Sequence, residues 1–126
     1  MTCYQNEIDR IRENCYSNEL QIATIIQTRQ FIINNFDKKL NLDLLSRRQH
    51  ISKFHLLRLF KRYYGLTIRQ YLIETRLEKS KEFLANGMSV TETCFAVGYE
   101  SPGSFSTLFK SRTGFTPSIF KNSNFR

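Results

Sequence analysis

At 126 residues the chain has room for about one domain and a modest core. Its 40% apolar content and mean hydropathy of −0.41 are ordinary for a water-soluble globular protein. No apolar run approaches the roughly 20 residues needed to span a bilayer, and the opening MTCYQNEIDRIREN lacks the charged-then-apolar order of a secretory signal, so a cytoplasmic location is expected.

Net charge is +8, and its distribution matters more than its sum. Residues 44–73 carry seven cations and no acid, and residues 101–126 carry four cations and no acid. The stretches 1–43 and 74–100 come out at −1 and −2. Positive charge concentrated in two blocks points to a polyanionic partner. Cys3, Cys15 and Cys94 show no CxxC or Cys/His spacing, so free thiols are expected rather than a disulfide or zinc site. His50 and His55 have no ligand partners at useful spacing, and neither a metal nor a cofactor is expected.

In chain order, the apolar spacing is helical throughout, without sustained period-2 alternation. Ile8, Ile11 and Cys15 suggest a weak amphipathic arm over 1–20. A stronger helix over 20–36 sets Leu20, Ile22, Ala23, Ile25, Ile26, Ile32, Ile33 and Phe36 on one broad face. Asn41 caps a short helix from Leu42 to about Arg48. Ser52 caps the next, with Leu56, Leu59, Phe60 and Tyr63 as its buried stripe. Gly65 stands where a helix end needs a left-handed residue. Thr67-Ile-Arg-Gln70 reads as a capping box opening a helix to about Ala85, and Asn86-Gly87 ends it. Ser89-Val-Thr-Glu92 is a second capping box, starting a helix to about Val97. Ser101-Pro102 starts another, with Phe105, Leu108, Phe109 and Arg112 facing inward. Gly114 closes it, and Thr116-Pro117 begins a last turn of helix through Phe120.

One element occurs twice. LFKRYYGLT (Leu59–Thr67) returns as LFKSRTGFT (Leu108–Thr116) at an offset of 49, and Ser52 matches Ser101 at the same offset. Upstream, Leu42, Leu45 and Ser46 match Val90, Thr93 and Cys94 at 48, so the second turn holds one extra residue. Each unit reads as short helix, tight turn, longer helix: the helix-turn-helix plan. The expected fold is all-α, with about seven helices plus the N-terminal arm. Its divisions are 1–20 (arm), 21–66 (first unit), 67–85 (connecting helix) and 86–126 (second unit).

A helix-turn-helix reads DNA with its second helix in the major groove. The recognition helices then span about 52–64 and 101–113. On the first, Lys53, Phe54, Leu57 and Arg58 are the expected base contacts. Arg58 suits the bidentate pairing to guanine, while Phe54 and Leu57 suit thymine methyls or sugars. For Phe54, packing inward is the competing reading. On the second, Pro102, Gly103, Ser106 and Thr107 face out, small and uncharged, so discrimination there should be weaker. Expected phosphate contacts are Asn41, Ser52, Lys61, Arg62, Ser89, Ser101, Ser104 and Lys110. The first unit should specify and the second position. The connecting helix, packing Ile68, Tyr71, Leu72, Leu77 and Leu84 on both units, could hold the two readers about one DNA turn apart.

With these residues in view, the chain resembles the DNA-binding domain of the AraC/XylS family of bacterial transcription regulators. The resemblance covers residues 22–121 and is most specific in FAVGYESPGSFSTLFKSRTGFTP (Phe95–Pro117). ISKFHLLRLFKRYYGLTIRQYLIETRLEKSKEFL (Ile51–Leu84), including the Arg76-Leu77 pair, carries it through the first unit. It implies two helix-turn-helix units on adjacent major-groove segments of double-stranded DNA. It also implies transcriptional activation, often through contact with RNA polymerase. The family's base-contacting positions fall on Phe54, Leu57 and Arg58, and on Pro102, Gly103 and Thr107. Leu57, Pro102 and Gly103 depart from polar readers. About twenty residues precede the first core helix, too few for an effector domain. The expectation is therefore a small stand-alone regulator, monomeric on DNA, or else part of a longer relative; the Met1 start favours the former.

No paired carboxylates, nucleophile–base pair or phosphate loop suggests an enzyme. The rival reading is a helical adaptor for an acidic protein partner. An RNA-binding module would use an exposed aromatic platform, and none is evident.

Overall fold

The computed structural model describes the backbone of residues 3–124 and the side chains of residues 18–123. Seven helices and no strand occur among the described residues: α1 (Cys3–Asn34), α2 (Leu42–Gln49), α3 (Lys53–Tyr64), α4 (Ile68–Ala85), α5 (Val90–Ala96), α6 (Pro102–Thr113) and α7 (Pro117–Asn124). None of them is long and apolar enough to cross a membrane. The weak arm and the first core helix form one unbroken helix. The side chains of Ile8, Ile11 and Cys15 lie outside the described residues.

The start and stop signals act where the sequence places them. N–H groups of Leu44, His55, Gln70, Glu92 and Ser104 donate to the side chains of Asn41, Ser52, Thr67, Ser89 and Ser101, satisfying donors that a helix start leaves open. Around Thr67 the box is complete, because Gln70 Oε1 accepts from the Thr67 N–H at 2.9 Å. At Ser89 only one arm forms among the described residues: the Glu92 N–H reaches Ser89 Oγ at 3.1 Å. Gly65 (φ +73°) and Gly114 (φ +85°) close α3 and α6 in the left-handed conformation, their N–H groups donating to Lys61 O and Lys110 O at 2.8 Å.

Two separate cores result. The first gathers Ile25, Ile32, Leu45, Leu56, Leu59, Phe60 and Ile68. The second gathers Leu77, Leu84, Cys94, Val97, Phe105 and Phe109. Helix α4 serves both, with Ile68, Tyr71 and Leu72 on the first and Leu77 and Leu84 on the second. The duplication extends to burial: Leu45 and Ser46 are buried, and so are their counterparts Thr93 and Cys94. The repeated turns also match. The Ile51 N–H donates to Ser46 O and the Tyr99 N–H to Cys94 O, so register is kept through Tyr99 and the extra residue of the second turn is Glu100.

Five expectations are corrected. Leu20, Ile22, Ala23 and Ile26 are exposed, because this part of α1 is covered only along the line of Ile25, Thr28 and Ile32. Phe36 joins the second core rather than the first, since α1 has ended before it and the connection carries it across. Tyr63 is on the surface, with the Arg62 guanidinium 5.9 Å from its ring, and Tyr64 packs inward instead. Arg112 is exposed, its guanidinium 3.4 Å from Glu74 of α4: a charge at that position finds a carboxylate instead of the core. Leu57 is half-buried against the first core.

Candidate nucleic-acid interface

The periodicity that buries Leu56, Leu59 and Phe60 turns Phe54, Arg58 and Arg62 outward at i, i+4 and i+8, with Lys61 beside them. Phe54 is 67% exposed, which decides against its inward packing. The corresponding stripe on α6, at the offset of 49, is Gly103, Thr107, Lys110 and Ser111, all exposed. The two stripes are equivalent in position and unlike in chemistry. One presents three cations and an aromatic ring, the other one cation, two hydroxyls and bare backbone.

Arg58 has no ion pair or hydrogen bond among the described residues, so its guanidinium fork is available to an external acceptor. Other arginines are committed internally. Arg29 Nε donates to Tyr71 Oη at 2.9 Å, a bond that holds the guanidinium above its ordinary pKa. Arg48 stacks over the Phe31 ring at 3.9 Å. Lys53 is the first residue of α3, with its ammonium 3.5 Å from Asp43 of α2. Both partners are about half exposed, so the pair is weak and can exchange for another anion. Lys61 Nζ reaches back to Gly65 O at 3.1 Å. Pro102 and Gly103 are exposed in the first turn of α6, whereas Ser106 is half-buried.

Most of the expected phosphate contacts lie at helix starts. Asn41, Ser52 and Ser101 are exposed N-caps and Ser89 is a half-buried one. Each cap oxygen already accepts a backbone N–H, which leaves the serine hydroxyl proton, or the Asn41 amide N–H, free to donate outward. Ser104, Lys110 and Arg62 are exposed on the same helices. Arg69 was missed. It is exposed in the first turn of α4, has no partner among the described residues, and borders a cleft of about 510 Å³ between the two units. Its place in the acid-free segment was the signal that could have found it. Leu57 of α3 and Leu108 of α6 border the same cleft, so both helices reach it.

Comparison with known proteins agrees with this plan. A family described as a helix-turn-helix domain matches residues 45–123. An uncharacterised HTH-type transcriptional regulator in the cgkA 5′ region of Pseudoalteromonas carrageenovora is 37% identical over 91 residues, 72% of this chain and 54% of that protein. The bifunctional transcriptional activator/DNA repair enzyme AdaA of Bacillus subtilis is 33% identical over 93 residues, 73% of this chain and 44% of that one. The chain thus spans about half the length of these curated relatives. Among solved structures, the C-terminal domain of AraT, a response regulator from Geobacillus stearothermophilus, matches with a TM-score of 0.76 at 27% identity, covering 79% of this chain and 84% of that one. Two helix-turn-helix units on one shared helix, the matched profile and these relatives together show that the chain belongs to the AraC-type helix-turn-helix family of transcription regulators.

Proposed function

We propose that the chain binds double-stranded DNA in a sequence-specific manner as a monomer, with α3 and α6 in successive major-groove segments. The observation that carries this reading is the pair of equivalent exposed stripes, Phe54–Arg58–Lys61–Arg62 and Gly103–Thr107–Lys110–Ser111, on two helices that border one cleft through Leu57 and Leu108. Helix α4, 18 residues and roughly 27 Å long, joins the two units, and in this reading it sets their readers one DNA turn, roughly 34 Å, apart. In this reading α3 selects bases through Arg58, with Lys53, Phe54 and Leu57 at the same groove. Helix α6 contributes Pro102, Gly103, Ser106 and Thr107 as a looser reader. The N-caps Asn41, Ser52, Ser89 and Ser101, with Ser104, Lys61, Arg62 and Lys110, hold phosphates. The regulator acts in the cytoplasm, catalyses no reaction, and activates transcription by contacting RNA polymerase.

Selection of bound duplexes from a random library, followed by footprinting, tests this. One asymmetric footprint of roughly two helical turns is expected, with affinity falling steeply as salt rises. A chain that binds an acidic protein and shows no preference among duplexes is the adaptor of the rival reading.

A further inference from the structure

Each unit has its own core, and a single helix between two cores transmits their relative orientation only as rigidly as that helix resists bending and twisting. At the middle of α4, Arg76 ties the units a second time. Its Nε donates to Phe36 O at 2.7 Å and its Nη2 to Lys38 O at 3.0 Å, both in the connection between α1 and α2. On the other side the guanidinium faces the Tyr99 ring, 5.2 Å away, in the turn between α5 and α6. Phe36 itself packs into the second core. One planar, five-donor group thus touches a loop of the first unit and a turn of the second, a geometry that lysine cannot reproduce.

The repeat supplies an internal control. Position 98 of the second turn corresponds to position 50 of the first, and both adopt the left-handed conformation. The first turn carries His50 there at φ +55°, whereas Gly98 sits at φ +95°, where an L side chain is strained whatever the space. In the second turn a Cβ on Gly98 would lie 2.9 Å from Arg76 Nη2 and 3.0 Å from Asp37 O. Glycine at 98 thus answers both to its own φ and to the close approach of Arg76 and the 36–38 segment. The inserted Glu100 closes the same contact, its carboxylate 2.8 Å from Lys39 Nζ, though both groups are too exposed to hold it alone.

We infer that Arg76, seated by Gly98 and Tyr99, is the positioning residue that fixes the distance between α3 and α6, and hence the spacing of the two half-sites the protein accepts. The inference rests on the DNA-binding reading, so its test has one arm with DNA and one without. In the first arm, affinities are measured for the selected duplex and for duplexes whose half-sites are moved by one base pair either way. The unmodified chain should prefer one spacing by about tenfold or more. Arg76→Ala, Arg76→Lys and Gly98→Ala should reduce that ratio to within about threefold, with less than additive effect when Arg76→Ala and Gly98→Ala are combined. Gly114→Ala, which imposes similar backbone strain in open space, should leave the ratio unchanged. A merely structural role would weaken all spacings alike. In the second arm, spin labels on noncanonical residues at positions 62 and 111 report the α3–α6 distance without DNA, and Arg76→Ala should broaden a narrow distribution. An unchanged spacing ratio, or an unbroadened distance, in Arg76→Ala overturns the inference. Lack of any duplex preference in the unmodified chain overturns the DNA reading, and the spacing claim with it.

Discussion

Arg58→Ala separates reading from mere adhesion. The guanidinium is exposed and has no internal partner, so its removal should change stability by no more than about 0.5 kcal/mol. A bidentate arginine–guanine contact is worth about 1–3 kcal/mol of discrimination. At about 1.4 kcal/mol per tenfold, that is roughly a 5- to 150-fold loss of preference at one base-pair position. The same substitution also removes one cation, which lowers affinity for every duplex and flattens the salt slope by about 0.9 if Arg58 displaces a counterion. The two effects are distinguished by measuring the dissociation constant at fixed salt for the best duplex, for each single-base variant and for random duplex. Discrimination should collapse at one position and persist at the others. Arg58→Lys should recover random-duplex binding without recovering discrimination, because a point charge lacks the two-pronged geometry. Equal losses on the best and the random duplex would refute the argument that α3 reads bases through this side chain.

Lys110→Ala should weaken all duplexes alike and reduce the salt slope by about one unit, measured by titration at several salt concentrations. Gly65→Ala and Gly114→Ala meet no atom within 4 Å, so each should cost only the left-handed backbone penalty of about 1–2 kcal/mol, seen as a drop in thermal midpoint without loss of sequence preference. Thr67→Ala removes the hydroxyl arm of the capping box, leaving the backbone N–H arm to Gln70, and should destabilise by about 0.5–2 kcal/mol in denaturant titration, its effect on DNA binding vanishing at temperatures where the variant is folded. Phe109→Ala empties a fully buried site of the second core. It should cost about 3–5 kcal/mol, and native-state hydrogen exchange should rise more in α5, α6 and α7 than in α2 and α3. Uniform exchange across both units would argue against dividing the chain into two units near α4.

The local grammar was legible before any coordinates because it is local chemistry. Cap residues such as Asn41, Ser52, Thr67 and Ser101 act within three residues of themselves, and Gly65 and Gly114 answer to their own φ. Spacing of 3.6 residues per turn was enough to place Leu56, Leu59 and Phe60 inward and Arg58 outward. It failed for Tyr63 and Arg112, which sit at the margins of an inward face. There an amphipathic side chain goes to whichever partner the fold supplies: the surface beside Arg62 for one, Glu74 for the other.

What the chain's order of residues could not reveal is which groups meet across long separations. Phe36 and Arg76 lie 40 residues apart, and nothing in either neighbourhood says that the guanidinium will find that carbonyl or that Phe36 will cross into the second core. The same holds for Leu57, half-buried against the first core and bordering a cleft whose Tyr99 and Leu108 come from the other unit. Sequence alone determined two helix-turn-helix units, their caps and their charged faces, because those follow from hydrogen bonding and periodicity within a few turns. Only the tertiary structure decided how the units stand to one another, because that depends on a few contacts between distant segments whose geometry no local pattern encodes.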